Sequence, residues 1–117
     1  MLRKVLKSKI HRATITQADL NYQGSIAVDE ALLKAADIAP FESVHVWNIS
    51  NGSRLETYAV PAEAGSGCIC INGAAARHSH SGDLVIIATF TWQEDNPAVE
   101  YTPKLVFVDA GNRQLSV

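Results

Sequence analysis

Residues 43–60 read SVHVWNISNGSRLETYAV. Polar and apolar residues alternate on both sides of Asn51-Gly52, a dipeptide typical of the type I′ turn that joins two antiparallel strands. The pattern predicts strands over residues 43–49 and 54–60, joined by that turn. This hairpin indicates a protein built mainly of β-strands.

The flanking sequence has the same short-strand character. Further strands are expected over residues 9–16, 25–28, 68–71, 84–92 and 104–108. Residues 30–36 are rich in helix formers and follow Asp29, a good N-cap, while residues 74–76 are expected to form one helical turn. These segments predict a mainly β protein, a small barrel of six or seven strands with one or two short helices.

Composition excludes several classes of function. The chain has 117 residues, enough for one domain, and a net charge of −2 with 19% charged residues. It lacks the basic balance of a nucleic-acid-binding protein, and no apolar run approaches the roughly 20 residues that cross a bilayer. Basic residues also interrupt any signal-like apolar core near the N-terminus. We therefore expect a cytoplasmic protein with no nucleic-acid and no membrane partner.

Two cysteines and two histidines suggest a metal site as an alternative. Cys68-x-Cys70 and His78-x-His80 offer four zinc-ligand types close together in the chain. Structural zinc sites usually leave roughly two to four residues between cysteines and three to five between histidines, so this spacing is too short. We favour free thiols and solvated histidines. A non-enzymatic small β-barrel that binds zinc or a ligand through these four residues remains the alternative.

Serine chemistry is the next candidate. Gly-Ser occurs at Gly24-Ser25, Gly52-Ser53 and Gly65-Ser66. A serine after glycine can attack the preceding carbonyl, and the resulting ester can decompose to a pyruvoyl group. A plain turn is the ordinary interpretation of each pair. Neither a G-x-S-x-G nucleophile motif nor a nucleotide-binding glycine loop is present.

The surroundings of Gly24-Ser25 distinguish it from the other two pairs. From near the N-terminus to about residue 90, the sequence closely resembles the pyruvoyl-dependent aspartate 1-decarboxylases, with their motifs in the same order and spacing. The matching segments are KIHR (9–12), ADLNYQGS (18–25), VWN (46–48), NGSR (51–54), TY (57–58), NGAAAR (72–77) and GDLVII (82–87). The cysteines and the residues His78 and His80 look like local variation.

The resemblance implies a double-psi β-barrel that cleaves itself between Gly24 and Ser25, giving a β chain of residues 1–24 and an α chain of residues 25–117. Ser25 would become a covalently bound pyruvoyl group, so that neither a metal nor pyridoxal phosphate is expected. Its ketone would act as the electron sink for converting L-aspartate to β-alanine and CO₂, which supplies pantothenate biosynthesis. The resemblance also implies a homotetramer with active sites between subunits, and it allows for a maturation factor.

The resemblance further assigns the site residues. Ser25 and Tyr58 are the catalytic pair, with Tyr58 as proton donor because a phenol stays protonated at neutral pH. The substrate-binding positions are Lys9, Arg54, Thr57, Gly73, Ala74 and Ala75, and the supporting positions are His11, Tyr22, Trp47 and Asn72.

Strand geometry adds one expectation to this assignment. Arg54 and Tyr58 share a strand face about 13 Å apart, whereas alternation turns Thr57 to the opposite face. Thr57 then binds through its backbone, or a bulge or subunit boundary intervenes. Without the resemblance, Arg54 and Tyr58 would be exposed strand residues, Trp47 a core or interface anchor, and Asn72 a turn former.

Overall fold

The computed structural model describes residues 1–22 and 24–116; Gln23 and Val117, which belong to the two predicted chains, lie outside the described residues. The strands are β1 (Leu2–Thr14), β2 (Gln17–Asp19), β3 (Ser25–Asp29), β4 (Ser43–Asn48), β5 (Arg54–Ala62), β6 (Ile69–Asn72), β7 (Leu84–Glu94) and β8 (Lys104–Phe107). Between them lie the helix α1 (Glu30–Ala35) and a 3₁₀ helix, Gly73–His78. Within the described residues, no helix has the length and apolar character needed to cross a membrane.

The strands form one sheet that closes on itself. Hydrogen-bonded neighbours follow the order β2-β6-β3-β5-β4-β7-β1-β8. β2 directly follows β1 in the chain, and β2 pairs with β6 while β1 pairs with β7. The backbone between β1 and β2 therefore connects one end of the sheet to the strand next to its other end. At that junction the Ile15 N–H donates to Asp83 O (2.9 Å) and the Thr16 N–H donates to Ile69 O (2.8 Å). The predicted mainly β fold, a small double-psi barrel, is confirmed.

Aliphatic side chains fill the barrel. Alternate strand residues point inward, and each of the following is at most 1% exposed: Ile10, Ile26, Val46, Ile71 and Ile87. Full burial of a side chain of this size contributes about 1.5–3 kcal/mol. A slip of one residue in any ladder would turn such side chains outward, so the core fixes the register.

Helix α1 follows the predicted cap. The side chain of Asp29 accepts a hydrogen bond of 2.9 Å from the Ala31 N–H, and Leu32 and Leu33 are buried against the core. The N-cap prediction is confirmed, and the 3₁₀ helix contains the helical turn predicted at residues 74–76.

Strand boundaries differ from the prediction at the N-terminus. β1 begins at Leu2, not at residue 9, and pairs antiparallel with β7 from Leu2 opposite Glu94. Its register shifts between Leu6 and Ser8 and again between Ile10 and Ala13, which breaks the alternation on which a sequence pattern depends. With the three-residue β2, the described residues form eight strands and not six or seven.

The hairpin of residues 43–60 forms, but the predicted type I′ turn is wrong. That turn requires positive φ at both central residues, and Gly52 has one (+78°) whereas Asn51 does not. Pairing ends at Trp47 opposite Arg54, so residues 48–53 form a wider loop. The loop is organised by Asn48, whose Oδ1 accepts from the N–H groups of Ser50 (2.8 Å) and Asn51 (3.1 Å).

Candidate active site

Ser25 is the first residue of β3 and is only 4% exposed. It lies opposite Asn72, the last residue of β6, in the antiparallel β3–β6 ladder. Asn72 Nδ2 donates a hydrogen bond of 3.3 Å to Ser25 Oγ. Gly24 is exposed, so the Gly24–Ser25 peptide bond leads from the surface into the buried end of β3. The structure therefore brings together Gly24, Ser25 and Asn72, three of the residues assigned to the site.

Gly73 carries the start of the 3₁₀ helix against this peptide bond. It has a φ of +69°, and a Cβ at this position would lie 2.7 Å from Gly24 Cα. Contacts this short leave room only for hydrogen, which explains why glycine is needed here. Asn72-Gly73 thus sets both the side-chain contact to Ser25 and the backbone contact to Gly24.

A cavity of about 310 Å³ lies beside Gly24. Its lining residues are Gly24, Leu55, Glu56, Thr57, Ala74, Ala75 and His78. Thr57, Ala74 and Ala75 were predicted to bind substrate, and here they share one cavity with the predicted cleavage site. The opposite orientation of Thr57 relative to Arg54 and Tyr58 is confirmed, since Thr57 is half-buried while the other two are exposed.

The far end of the 3₁₀ helix is held by the hairpin loop. The His78 carbonyl accepts hydrogen bonds from Asn51 Nδ2 (2.8 Å), Ser53 Oγ (3.1 Å) and Asn48 Nδ2 (3.3 Å). Because these bonds hold the backbone of His78, its neighbours Ala74 and Ala75 keep their place in the cavity wall. The Asn-Gly-Ser loop therefore has a function beyond turning the chain: it positions the wall of the candidate site.

Tyr58 lies next to Ser25 in the strand register. The parallel ladder of β3 and β5 begins with Ile26 opposite Ala59, both of which face the core. One residue earlier on each strand are Ser25 and Tyr58, which therefore face away from the core at the same end of adjacent strands, about 4.8 Å apart in strand spacing. Tyr58 is 38% exposed and its ring centroid lies 6.2 Å from that of Phe41.

Arg54 faces a different cavity from the one beside Gly24. Its guanidinium lies 4.5 Å from the ring centroid of Trp47, a cation–π contact. Both residues line a cavity of about 610 Å³ that shares Leu55 and Glu56 with the smaller cavity at Gly24. Within one chain, Arg54 therefore lines a neighbouring cavity and not the one beside the predicted cleavage site.

Lys9 and His11 lie farther away. Both are on β1, which is separated from β5 by β7 and β4. The His11 ring packs against Phe107 at 5.7 Å, and its Nδ1 is buried without a hydrogen-bond partner among the described residues. Burial, followed by the positive charges of Lys9 and Arg12, lowers the pKa of His11. The strand order therefore separates these two residues from Arg54 and Tyr58 on β5.

The alternative of a metal site finds no support. Among residues 1–22 and 24–116, no group of three or more His, Cys, Asp or Glu side chains is arranged to hold a metal ion. Cys70 points to Asn72, His78 lines the cavity at Gly24, and His80 Nδ1 lies 3.9 Å from Asp83. Cys70, His78 and His80 thus belong to separate local environments.

Sequence reasoning missed four neighbours of the site. Cys70 Sγ donates to Asn72 Oδ1 at 3.2 Å, and Leu55, Glu56 and His78 line the cavity at Gly24. The spacing of Cys70 and Asn72 was the available signal, since residues two apart on a strand share a face. The positions of Glu56 and His78 depend on how the 3₁₀ helix packs against β5, which no local pattern reveals. Tyr22, predicted as a supporting residue, is 65% exposed, and its carbonyl lies in the backbone contact around Gly73.

Comparison with known proteins agrees with this geometry. The sequence model of the family described as aspartate decarboxylase matches residues 1–115. The chain is 59% identical over 113 residues to a protein named aspartate 1-decarboxylase from Myxococcus xanthus (strain DK1622), covering 97% of this chain and 87% of that relative. A protein of the same name from Syntrophotalea carbinolica is 57% identical over 112 residues, covering 96% of this chain and 86% of the relative. Another from Chromobacterium violaceum is 55% identical over 117 residues, covering 100% and 93%. The chain belongs to the aspartate decarboxylase family.

Proposed function

We propose that this protein converts L-aspartate to β-alanine and CO₂, after cleaving its own chain between Gly24 and Ser25. The name shared by its relatives, aspartate 1-decarboxylase, supports the reaction. The observation that carries the assignment to these residues is the arrangement around Ser25: a buried serine hydroxyl held by Asn72, next to a glycine that Gly73 packs against. The product β-alanine would enter pantothenate biosynthesis.

Self-cleavage begins when Ser25 Oγ attacks the carbonyl carbon of Gly24. The Gly24–Ser25 C–N bond breaks, the hydroxyl proton passes to the nitrogen of Ser25, and Gly24 becomes the acyl group of an ester. Elimination across the Cα–Cβ bond of residue 25 releases the Gly24 carboxylate. Water then displaces the nitrogen as ammonia and leaves a pyruvoyl group at the start of the chain of residues 25–117. The sequence consumes one water and needs no oxidant.

The residues around Ser25 suit such a group. Asn72 Nδ2 points at the side chain of residue 25, and Gly73 provides space that any larger residue would fill. Once formed, the ketone supplies an electron sink for the bond to the α-carboxylate of aspartate. Tyr58 then delivers the proton to the α carbon from the adjacent strand, acting as a general acid through its phenol O–H.

The positions of Arg54 and Lys9 support an assembly in which subunits share sites. Arg54 is suited to bind a substrate carboxylate through its planar fork, with Lys9 as a second cation. Lys9 is three strands away from β5 in the same chain, and Arg54 is directed at Trp47. We therefore assign these cations, with His11, to the site of a neighbouring subunit in a homotetramer. A maturation factor would act on the precursor, and the two free cysteines of the described residues suit the reducing cytoplasm.

Mass spectrometry of the intact protein tests this function. After incubation, we expect two fragments, residues 1–24 and 25–117, with the larger one lighter by one ammonia than a chain starting with serine. L-aspartate should then yield β-alanine and CO₂. Ser25→Ala should stay whole, whereas Ser66→Ala, which changes another Gly-Ser pair, should cleave normally. A wild-type chain that remains whole and makes no β-alanine, even when cell extract supplies a maturation factor, would refute the proposal.

A further inference from the structure

A buried hydrogen-bonded chain of three side chains ends at Ser25. Cys70 Sγ donates to Asn72 Oδ1 at 3.2 Å, and Asn72 Nδ2 donates to Ser25 Oγ at 3.3 Å. The three residues occupy one side of adjacent strands: Asn72 is opposite Ser25 in the ladder, and Cys70 is two residues before Asn72 on β6. All three are buried. Asn72 therefore connects the thiol of Cys70 to the hydroxyl of Ser25, the predicted nucleophile.

An asparagine amide has a donor end and an acceptor end, and its neighbours decide which way it points. Cys70 is the donor that the structure shows for Asn72 Oδ1. Burial, followed by electrostatic repulsion from Cys68 and Asp19, raises the pKa of Cys70. Its sulfur therefore keeps its proton at neutral pH and can donate to Oδ1.

We propose that Cys70 is a positioning residue for self-cleavage: its thiol fixes the amide of Asn72 so that Nδ2, and not Oδ1, faces Ser25. In this orientation Ser25 Oγ accepts a hydrogen bond, and its own proton stays free to leave as the oxygen attacks Gly24. In the flipped orientation, Oδ1 would accept the Ser25 proton and hold it in place. This inference rests on the proposed function and adds a residue to it.

The experiment measures the rate of self-cleavage in purified precursor by intact mass. Cys70→Ala removes the thiol, and Cys70→Val removes it while keeping a similar volume. Both should cleave roughly tenfold more slowly than wild type, the effect expected from one lost hydrogen bond. Cys70→Ser restores a donor and should recover most of the rate. Cys68→Ala is the matched control, because Cys68 is the other cysteine of the chain, precedes β6, and its thiol makes no hydrogen bond to Asn72 among the described residues.

Three outcomes separate this inference from the proposed function. A wild-type rate in Cys70→Ala and Cys70→Val overturns the role of Cys70 and leaves the proposed function intact. Equal slowing in Ala, Val and Ser variants shows a packing effect and also overturns it. A wild-type precursor that never cleaves refutes the proposed function itself.

A spectroscopic measurement covers the case in which the variants of Cys70 do not fold. The chain has two cysteines, so Cys70 is the only thiol in Cys68→Ala. Its S–H stretching band in the infrared spectrum should be shifted to the lower frequency of a hydrogen-bonded thiol. A band at the frequency of a free thiol would show that Cys70 does not donate to Asn72 and would overturn the inference.

Discussion

Gly73 and Gly24 are in backbone contact, and the contact is so close that position 73 has no room for a side chain. A Cβ on Gly73 would lie 2.7 Å from Gly24 Cα and 2.8 Å from Gly24 N. The two glycines therefore bring the end of the first predicted chain and the start of the 3₁₀ helix together. This contact links the position of the cavity wall to the geometry of the Gly24–Ser25 bond, the proposed site of cleavage.

Gly73→Ala should abolish self-cleavage, because relieving the overlap must move the backbone of Gly24. Gly82→Ala is a matched control: Gly82 also has a positive φ (+95°), but nothing lies within 4 Å of its Cβ position. That control should cost only about 1 kcal/mol of backbone strain and should cleave normally. Cleavage is followed by intact mass and folding by thermal unfolding. Normal cleavage in Gly73→Ala would contradict the role of the contact.

Tyr58→Phe separates cleavage from turnover. The variant keeps the ring beside Phe41 and loses the hydroxyl, so the chain should still cleave after Gly24. Decarboxylation should fall by roughly 100-fold or more, the usual contribution of a positioned general acid. Tyr101→Phe, on a loop distant in sequence from the site, should leave both steps unchanged. If Tyr58→Phe turns over as fast as wild type, Tyr58 is not the proton donor.

Mixing two inactive variants tests whether subunits share active sites. Ser25→Ala cannot form the pyruvoyl group, and Arg54→Ala loses the proposed carboxylate anchor. If Arg54 serves a neighbouring subunit, mixed assemblies formed by refolding or co-expression will contain some sites with both groups intact. Activity should then reappear in the mixture and be absent from each variant alone. No recovery in mixtures proven to contain both chains would place Arg54 and Ser25 of one chain in the same site.

The sequence was sufficient to predict those parts of the fold that depend on residue periodicity or on a local motif. The strand alternation of residues 43–60 predicted the hairpin, and Asp29 predicted the start of α1. The register shifts of β1 could not be predicted, because a bulge changes the facing of residues without changing their composition. The turn type was wrong because Asn48, at the strand end, binds the loop backbone more extensively than the Asn-Gly pair does.

In the candidate site, too, local motifs could be predicted from the sequence and tertiary contacts could not. Asn72, Gly73, Ala74 and Ala75 are contiguous, so a motif finds all four and the structure keeps them together. Cys70 and His78 enter the site only through pairing of β6 with β3 and packing of the 3₁₀ helix. Such contacts depend on tertiary structure, and the sequence pattern that contains each residue, Cys-x-Cys or His-x-His, indicated a metal site instead.

Asn48 should be the most sensitive position in the loop that supports the cavity wall. It is 3% exposed, its Nδ2 donates to Asp83 Oδ2 at 2.9 Å, and its Oδ1 accepts from the loop backbone. Asn48→Ala removes five hydrogen bonds, of which the one to Ser79 is buried and the others are part-buried, and we expect it to lower the free energy of unfolding by about 3 kcal/mol. Urea unfolding of the Ser25→Ala background measures it without cleavage. Asn96→Ala, in an exposed loop, is the control; equal effects would contradict the supporting role.

Asp29 should make the stability of the barrel depend on acid pH. The residue is 2% exposed, and burial alone would raise the pKa of its carboxyl. The N–H groups of Gly67, Gly65 and Ala31 donate hydrogen bonds to this carboxyl, and their effect outweighs burial, so that the pKa is lowered. A group whose pKa is lower in the folded state stabilises the fold above its unfolded pKa, about 3.9, and loses that contribution as pH falls through the folded value. Asp29→Asn should therefore be less stable than wild type by about 2 kcal/mol at pH 7, with the difference shrinking below about pH 4. Urea unfolding of both proteins across this pH range measures the difference, and a gap that stays constant down to pH 2 would show that the charge of Asp29 contributes nothing.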